Sequence, residues 1–152
     1  MNTNVNIQQA VPFFIVKKMD VSLPFYINGL GFTLVNQWLP RGKIEWCWLT
    51  RDNASMMLQE FRPHGNNTSP FENGVGRGVS ICFTCADALA LYHEFLAKAI
   101  QPASEVFVGN NMWVVHVKDP DGYDLYFESS TDVAEGTTYS AWQKDNQQVS
   151  QK

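Results

Sequence analysis

The sequence predicts an α+β protein made of two tandem β-α-β-β-β modules, and two observations lead to this prediction. The first is the segment 113–128, W-V-V-H-V-K-D-P-D-G-Y-D-L-Y-F-E, in which a D-P-D-G turn separates two strand-like runs. Pro120 fixes φ at a turn value and Gly122 readily adopts a positive φ, so a hairpin is expected here. The second is a repeat, because a shift of 68 residues, which places Glu60 on Glu128, aligns the strand-like and helix-like stretches of both halves without a gap.

The first module is predicted over residues 10–61, after a polar arm at 1–9 that has too little apolar content to fold alone. Apolar and β-branched runs predict its four strands, at 11–16, 32–39, 44–50 and 55–61. Asp20 or Ser22 can cap a helix that runs to about Tyr26, because Gly29 and Gly31 follow and favour a helix end.

The second module is predicted over residues 78–130, after a connecting loop at 62–77 that is rich in Gly, Pro and Asn. It contains a strand at 79–84, an amphipathic helix at 88–99 capped by Asp87, a strand near 105–108, and the hairpin. Residues 131–152 form a polar tail, for which the sequence leaves open a short helix carrying Tyr139 and Trp142 or a loose segment.

Composition limits the classes of function and partner. The net charge is −4, and lysines and arginines are scattered rather than clustered, which argues against a nucleic-acid partner. No signal peptide or membrane-spanning run is recognised, and the three cysteines are an odd number within apolar runs. We therefore expect a cytoplasmic protein without disulfides and without a membrane partner. Cys82 and Cys85 have the C-x-x-C spacing of some zinc and redox sites. No second Cys or His pair accompanies them, so we expect both side chains to pack in the protein rather than to bind zinc or carry out redox chemistry.

Three motifs together resemble a known family. They are the opening V-P-F-F-I-V-x-x-M-D-V-S-L-P-F-Y, the G-L-G-F that follows it, and the closing D-P-D-G-Y-x-L-Y-F-E. On these motifs the chain resembles, over about residues 10–130, the vicinal oxygen chelate superfamily, which includes glyoxalase I, bleomycin resistance proteins, fosfomycin resistance enzymes and extradiol dioxygenases. The resemblance implies curved mixed sheets around a shared cavity, commonly in a homodimer. Whether modules pair within a chain or between chains stays open.

The resemblance also indicates where a metal ion would be held. Carried onto this sequence, the metal-ligating positions of the family are Val11, Leu58, Val79 and Tyr126, which offer no imidazole or carboxylate. This implies that no metal or other cofactor is bound. An alternative places a divalent metal such as Zn, Ni, Mn or Fe between His116, Glu60 and Glu128, the two glutamates lying two residues further along their strands.

Aromatic side chains are the stronger signal for a ligand site. Alternation puts Trp46 and Trp48 on one face of their strand, and it puts Asp124, Tyr126 and Glu128 on one face of theirs. Aromatic residues can instead fill the helix-covered side of a curved sheet. The candidate ligand-binding residues are Phe13, Trp46, Trp48, Glu60, Trp113, His116, Tyr126 and Glu128.

Two functions follow from these residues. The first is metal-independent binding of a small aromatic or cationic organic molecule through stacking, with the carboxylates meeting positive or hydroxyl groups. The A-V-P-F-F-I-V and W-V-V-H-V-K-D-P-D-G segments resemble the bleomycin-resistance branch, whose members sequester a drug. The alternative is a metal-dependent lyase or isomerase of the glyoxalase type, or a dioxygenase. No catalytic residue is predicted.

Overall fold

The computed structural model describes residues 6–66 and 68–149, and within them it contains eight strands and three α-helices. The first four strands are Phe13–Val16 (β1), Thr33–Trp38 (β2), Trp46–Arg51 (β3) and Ala54–Glu60 (β4). The other four are Ser80–Thr84 (β5), Phe107–Gly109 (β6), Met112–Lys118 (β7) and Asp124–Ser130 (β8). The helices are Met19–Pro24 (α1), Ala88–Ala97 (α2) and Tyr139–Val149 (α3), and a π-helical segment Phe25–Gly29 continues α1.

The strands form two four-stranded sheets with the same connectivity. Sheet 1 has the order β1-β4-β3-β2 and sheet 2 has the order β5-β8-β7-β6. In each sheet the first strand runs parallel to the last, and the other neighbours are antiparallel. A parallel pair requires a crossover, which α1 and α2 provide. The predicted α+β fold of two β-α-β-β-β modules is therefore confirmed.

Each sheet has a covered face, on which the side chains are buried. Because side chains alternate along a strand, every second residue of β3, β4, β7 and β8 belongs to this face. The buried side chains of the covered faces are Phe14, Val16, Cys47, Leu49, Met56, Leu58, Trp113, Val115, Val117, Leu125 and Phe127. They join Tyr26 and Phe95 in one continuous core that includes residues of both modules.

The strand register corrects the gap-free repeat. In β4 the buried residue Leu58 pairs with Phe14, and in β8 the buried residue Phe127 pairs with Phe83, so these strands correspond at a shift of 69 rather than 68. The strands β3 and β7 keep the shift of 68. The difference arises in the turns, because the second turn, at 120–122, is one residue longer than the first, at 52–53.

The start of each helix shows the same correspondence. Glu60 Oε2 accepts a hydrogen bond from Met19 N at 2.7 Å, and Ser129 Oγ accepts one from Ala88 N at 2.8 Å. Both acceptors satisfy the first N–H group of a helix, which has no partner within the helix. Glu60 is thus the counterpart of Ser129, and the prediction that it is equivalent to Glu128 is wrong.

Hydrogen bonds and an ion pair join the two modules. The buried carboxylate of Asp119 accepts a hydrogen bond from Tyr26 Oη at 2.9 Å, and Tyr123 Oη donates to Ile15 O at 2.8 Å. On the other side of the molecule, Arg51 donates to both carboxylate oxygens of Glu94, at 3.1 and 2.8 Å. Each hairpin turn therefore packs against the helical side of the other module.

The described part of the tail contains the helix α3. In α3, Trp142 and Tyr139 pack against Trp113, with ring centroids 5.6 and 6.0 Å from it. Tyr139 Oη lies 2.8 Å from His93 Nε2 on α2. Of the two alternatives that the sequence left open, the structure has the packed helix. Within the described ranges, no helix combines the length and apolarity needed to cross a bilayer.

Candidate functional site

The face of each sheet opposite the covered face, named here its open face, carries side chains that are partly or fully exposed, apart from the buried Val114. Paired residues of neighbouring strands share a face, so the pairing defines these surfaces. The open face of sheet 1 carries Phe13, Ile15, Asn36, Trp38, Trp46, Trp48, Thr50, Ser55, Met57 and Gln59. The open face of sheet 2 carries Ser80, Cys82, Thr84, Val114, His116, Lys118, Asp124, Tyr126 and Glu128.

The open face of sheet 1 is aromatic. Trp46 and Trp48 are half-buried on β3, as alternation predicted, and Trp38 lies directly opposite Trp46 on β2. Trp38 and Phe13 remain 53% and 49% exposed. These two side chains lie on the two edge strands of the sheet, with Trp46 and Trp48 between them. Large apolar side chains that stay this exposed across one sheet form a patch that favours a ligand or a partner surface.

The open face of sheet 2 combines an aromatic stack with charge. The ring of His116 stacks on that of Tyr126, with centroids 4.5 Å apart and planes 7° apart. Asp124 Oδ1 lies 2.7 Å from His116 Nε2 and accepts a hydrogen bond from Lys118 Nζ at 2.6 Å. The pKa of Asp124 lies below its ordinary value. The main cause is the hydrogen bond from Lys118, and the second is the hydrogen bond with His116. The carboxylate therefore stays ionised and holds the imidazole in place.

Cys82 and Glu128 lie on the same open face, on neighbouring strands. Cys82 is exposed rather than packed, because its position in β5 points to the open face. Partial burial, and then the charge of Glu128, raise the pKa of the Cys82 thiol to about 11. At neutral pH this thiol is protonated, which makes it a poor nucleophile.

Two of the eight candidate ligand residues are not on an open face. Glu60 lies on the covered face, where Met19 N and Lys43 Nζ bind its carboxylate. Trp113 is buried on the covered face of sheet 2, against α3. The other six are Phe13, Trp46, Trp48, His116, Tyr126 and Glu128, and all six lie on the open faces.

Sequence reasoning missed Gln59, which is the true counterpart of Glu128 on the open face of sheet 1. The signal that identifies it is the length of the turns. The first turn has two residues, 52–53, between the paired residues Arg51 and Ala54. The second turn is one residue longer, and this additional residue shifts the following strand by one position.

The open-face residues do not fit the metal site of a glyoxalase-type enzyme. The resemblance places the metal ligands on the first and last strands of each module, and there the open-face pairs include Phe13 with Met57 and Cys82 with Tyr126. A phenyl ring, a thioether, a thiol and a phenol are not the imidazole and carboxylate set that a glyoxalase-type ion needs. The alternative set of His116, Glu60 and Glu128 is not assembled. Across residues 6–66 and 68–149, no three His, Cys, Asp or Glu side chains are grouped so that they could hold an ion.

Two cavities lie where the modules meet. The smaller, of about 280 Å³, is lined by residues of both open faces, Phe13 and Asp124, together with Phe14 and Tyr123. The larger, of about 620 Å³, lies beside β5 and the first hairpin turn, with Phe32, Phe83 and Phe127 among its lining residues. The larger volume is in the range of small-molecule pockets, which is roughly 300–1,000 Å³. It is separate from the tryptophan-rich part of the open face.

Comparison with known proteins identifies the family. Residues 7–127 match the sequence profile of the Glyoxalase/Bleomycin resistance protein/Dioxygenase superfamily. The chain belongs to this superfamily. No curated protein matches it.

Several solved structures of low sequence identity share the superfamily fold with this chain. UcmS2 is 15% identical with a TM-score of 0.65, over 80% of this chain and 98% of that one. TnmS3, an antibiotic-binding protein from Streptomyces sp. CB03234, is 16% identical with a TM-score of 0.62, over 84% and 99%. A lactoylglutathione lyase from Agrobacterium tumefaciens is 18% identical with a TM-score of 0.56, over 80% and 94%. At these identities the likeness establishes the fold alone.

Proposed function

We propose that the open faces bind a flat aromatic or cationic organic molecule without a metal ion, as a sequestering protein of the bleomycin-resistance type does. The observation that carries this proposal is the composition of the open faces. Sheet 1 presents three tryptophans and a phenylalanine, while the pairs Phe13–Met57 and Cys82–Tyr126, on the first and last strands of each module, offer no imidazole or carboxylate oxygen to an ion. TnmS3, which has the same fold, is described as an antibiotic-binding protein, and this supports the choice of ligand class.

Stacking supplies most of the affinity in this proposal. The half-buried indoles of Trp46 and Trp48 present flat surfaces on adjacent positions of one face. A planar ligand that covers them buries apolar area, and a cationic ring adds attraction to the indole π system of about 0.5–2 kcal/mol. The affinity therefore rests on rigid aromatic residues that strand pairing already positions.

Sheet 2 supplies the polar contacts. Glu128 and Asp124 are carboxylates on the open face of β8, and Tyr126, which stacks with His116 of β7, lies between them along the strand. These groups suit a ligand that carries an ammonium, an amidine or a hydroxyl group. An anionic ligand is disfavoured, because the two carboxylates repel it and the ammonium group of Lys118 on this face is already bound to Asp124.

A second copy of the chain completes the cavity in this proposal. Trp38 and Phe13 on the open face are each about half exposed, and large exposed apolar areas are costly for an isolated chain. In the homodimer that we propose, the open face of one chain and that of its partner enclose the ligand between them. Such an arrangement buries the ligand more fully than one shallow face does.

The experiment is a fluorescence titration of the protein with proflavine, a planar cation, in buffer that contains a chelator. The Trp48→Ala variant removes an open-face indole, and Trp142→Ala is the matched control, because it removes an indole that packs against the covered side. We expect Trp48→Ala to weaken binding about tenfold and Trp142→Ala to leave it unchanged in protein that keeps the wild-type circular dichroism. No binding by the wild-type chain, or equal weakening in both variants, contradicts the proposal.

A further inference from the structure

The duplicated fold creates a slot beside the first strand of each module, and one of these slots is filled by the chain itself. Beside β1, the ring of Tyr123 stacks on Phe14, with centroids 4.0 Å apart and planes 8° apart. Its hydroxyl donates to Ile15 O at 2.8 Å. Phe14 is only 7% exposed as a result. The phenol ring of Tyr123 and its hydroxyl donor thus fill the slot beside β1.

The corrected register identifies the equivalent slot beside β5. Phe14 pairs with Leu58, and Phe83 pairs with Phe127, so Phe83 is the counterpart of Phe14 and Thr84 that of Ile15. By the same shift of 69, the counterpart of Tyr123 is Ala54, at the start of β4. Alanine has no ring and no donor to place there.

The larger cavity occupies the position that alanine leaves empty. It measures about 620 Å³, against about 280 Å³ for the cavity beside Tyr123, and Ala54, Phe83 and Thr84 all line it. Phe83 is only half-buried, although its counterpart Phe14 is buried. Phe32 and Phe127 complete an apolar wall beside it, with ring centroids 6.0 and 4.9 Å from that of Phe83.

The free edge of β5 supplies the polar anchor. Cys85 N donates to Glu128 O of β8, so in this parallel ladder the neighbouring residue Thr84 turns its backbone groups away from β8. This is the orientation that lets Ile15 O accept the hydroxyl of Tyr123 in the other module. Thr84 O is therefore placed to accept a hydrogen bond from a group in the cavity.

We propose that this cavity is a second binding site, for a planar aromatic molecule that carries a hydrogen-bond donor. Its ring stacks on Phe83 and its donor binds Thr84 O, as Tyr123 does with Phe14 and Ile15 O. Asp52 and Asp87 lie among the lining residues, and the lining cation Arg51 is bound to the carboxylate of Glu94, so the site takes neutral or cationic rings rather than anions. The volume exceeds that of one phenol ring, so fused aromatic systems also fit. The site is separate from the open-face tryptophans.

The test is a titration of the isotope-labelled full chain with 4-methylphenol, followed by amide chemical shifts and by nuclear Overhauser contacts from the ligand ring. Toluene is the control ligand, since it has the same ring without a donor. Ala54→Tyr restores the missing ring from within the chain. Ala97→Tyr, at an exposed position of α2, is the control variant.

We expect saturable shifts at Phe83, Thr84 and Cys85 and ring contacts to Phe83 in the wild-type chain. Toluene binds about three- to tenfold more weakly, because it makes no hydrogen bond. Ala54→Tyr abolishes the shifts, whereas Ala97→Tyr keeps them. Shifts confined to open-face residues such as Trp46 and Trp48, or equal affinity for both ligands, overturn the proposal. The wild-type contacts decide the outcome even if Ala54→Tyr does not fold.

Discussion

Asp119 is the residue on which the contact between the second hairpin and the first module depends. Its side chain is 5% exposed and accepts hydrogen bonds from Tyr26 Oη and from the backbone N–H groups of Asp121 and Tyr123. Burial raises the pKa of Asp119, and these hydrogen bonds act against the rise. The carboxylate is tolerated in the core because its oxygens have donors.

Removing one of these donors destabilises the protein. We expect Tyr26→Phe to lower the free energy of unfolding by about 1–3 kcal/mol, because it leaves a buried carboxylate oxygen without its partner. Urea denaturation followed by circular dichroism measures this. Tyr92→Phe, at a half-buried tyrosine of α2, is the control and changes the unfolding free energy far less. A loss for Tyr26→Phe no larger than that of the control contradicts this account of Asp119.

Asp124 gives the open face of sheet 2 a pH dependence. Its pKa in the folded protein lies below the ordinary value of 3.8, through Lys118 first and His116 second. The ionised carboxylate therefore contributes stability above about pH 4, and this contribution is lost as the pH falls through the lowered pKa. The contribution is small, because Lys118 is half exposed and water screens the pair.

The Lys118→Met variant tests this assignment. Without the ammonium group, we expect the pKa of Asp124 to move up toward 3.8, as measured by carboxyl carbon chemical shifts during an acid titration. Lys98→Met, at the C-cap of α2 in an ion pair with Glu94, is the control and leaves the Asp124 titration unchanged. An unchanged Asp124 pKa in Lys118→Met rules out the ion pair as its main cause.

At the scale of elements, α3 covers the outer end of sheet 2. Trp142 and Tyr139 pack against Trp113, which is 5% exposed, and Tyr139 N donates to Val106 O at 2.8 Å. Truncation after Thr138 exposes this aromatic cluster. We expect the truncated chain to lose on the order of 4 kcal/mol of unfolding free energy, since each large side chain contributes about 1.5–3 kcal/mol by burial. Val149→Ser, at a 75% exposed position of α3, serves as the control in the same urea titration. Equal stability of the truncated and full chains means that α3 does not support sheet 2.

Sequence patterns predicted the individual strands and helices better than they predicted the residue-by-residue alignment of the two modules. Period-two alternation along β8 correctly separated Tyr126 and Glu128 from Leu125 and Phe127, because burial on one face repeats every second residue. The gap-free shift failed at Glu60, because one additional turn residue moves a whole strand to the opposite face. Trp113 was assigned to the ligand site because a tryptophan on a strand suits either face, and only the packing of α3 decides between them.

At the scale of the molecule, the two modules share one core. The core cluster includes residues from both sheets, and the Tyr26–Asp119 and Arg51–Glu94 contacts cross between them. We expect a single cooperative unfolding transition, in which tryptophan fluorescence and far-ultraviolet circular dichroism have the same midpoint. Two separated midpoints contradict the shared core.

The shared core also explains why the open faces are available for binding. Each module covers one side of its sheet with a helix and buries that side against the other module, so the opposite sides keep their aromatic residues half exposed. Duplication thus yields two similar surfaces with different residues. One is rich in tryptophan, and the other carries the His116, Tyr126 and Asp124 group.

The most direct test of metal-independent binding on these faces is calorimetric titration of proflavine into protein stripped with a chelator, with its metal content measured. We predict the same affinity in the stripped protein and in protein supplied with one equivalent of zinc, nickel, manganese or iron. Absence of binding in the stripped protein, together with its recovery on addition of one equivalent of metal, would contradict the account.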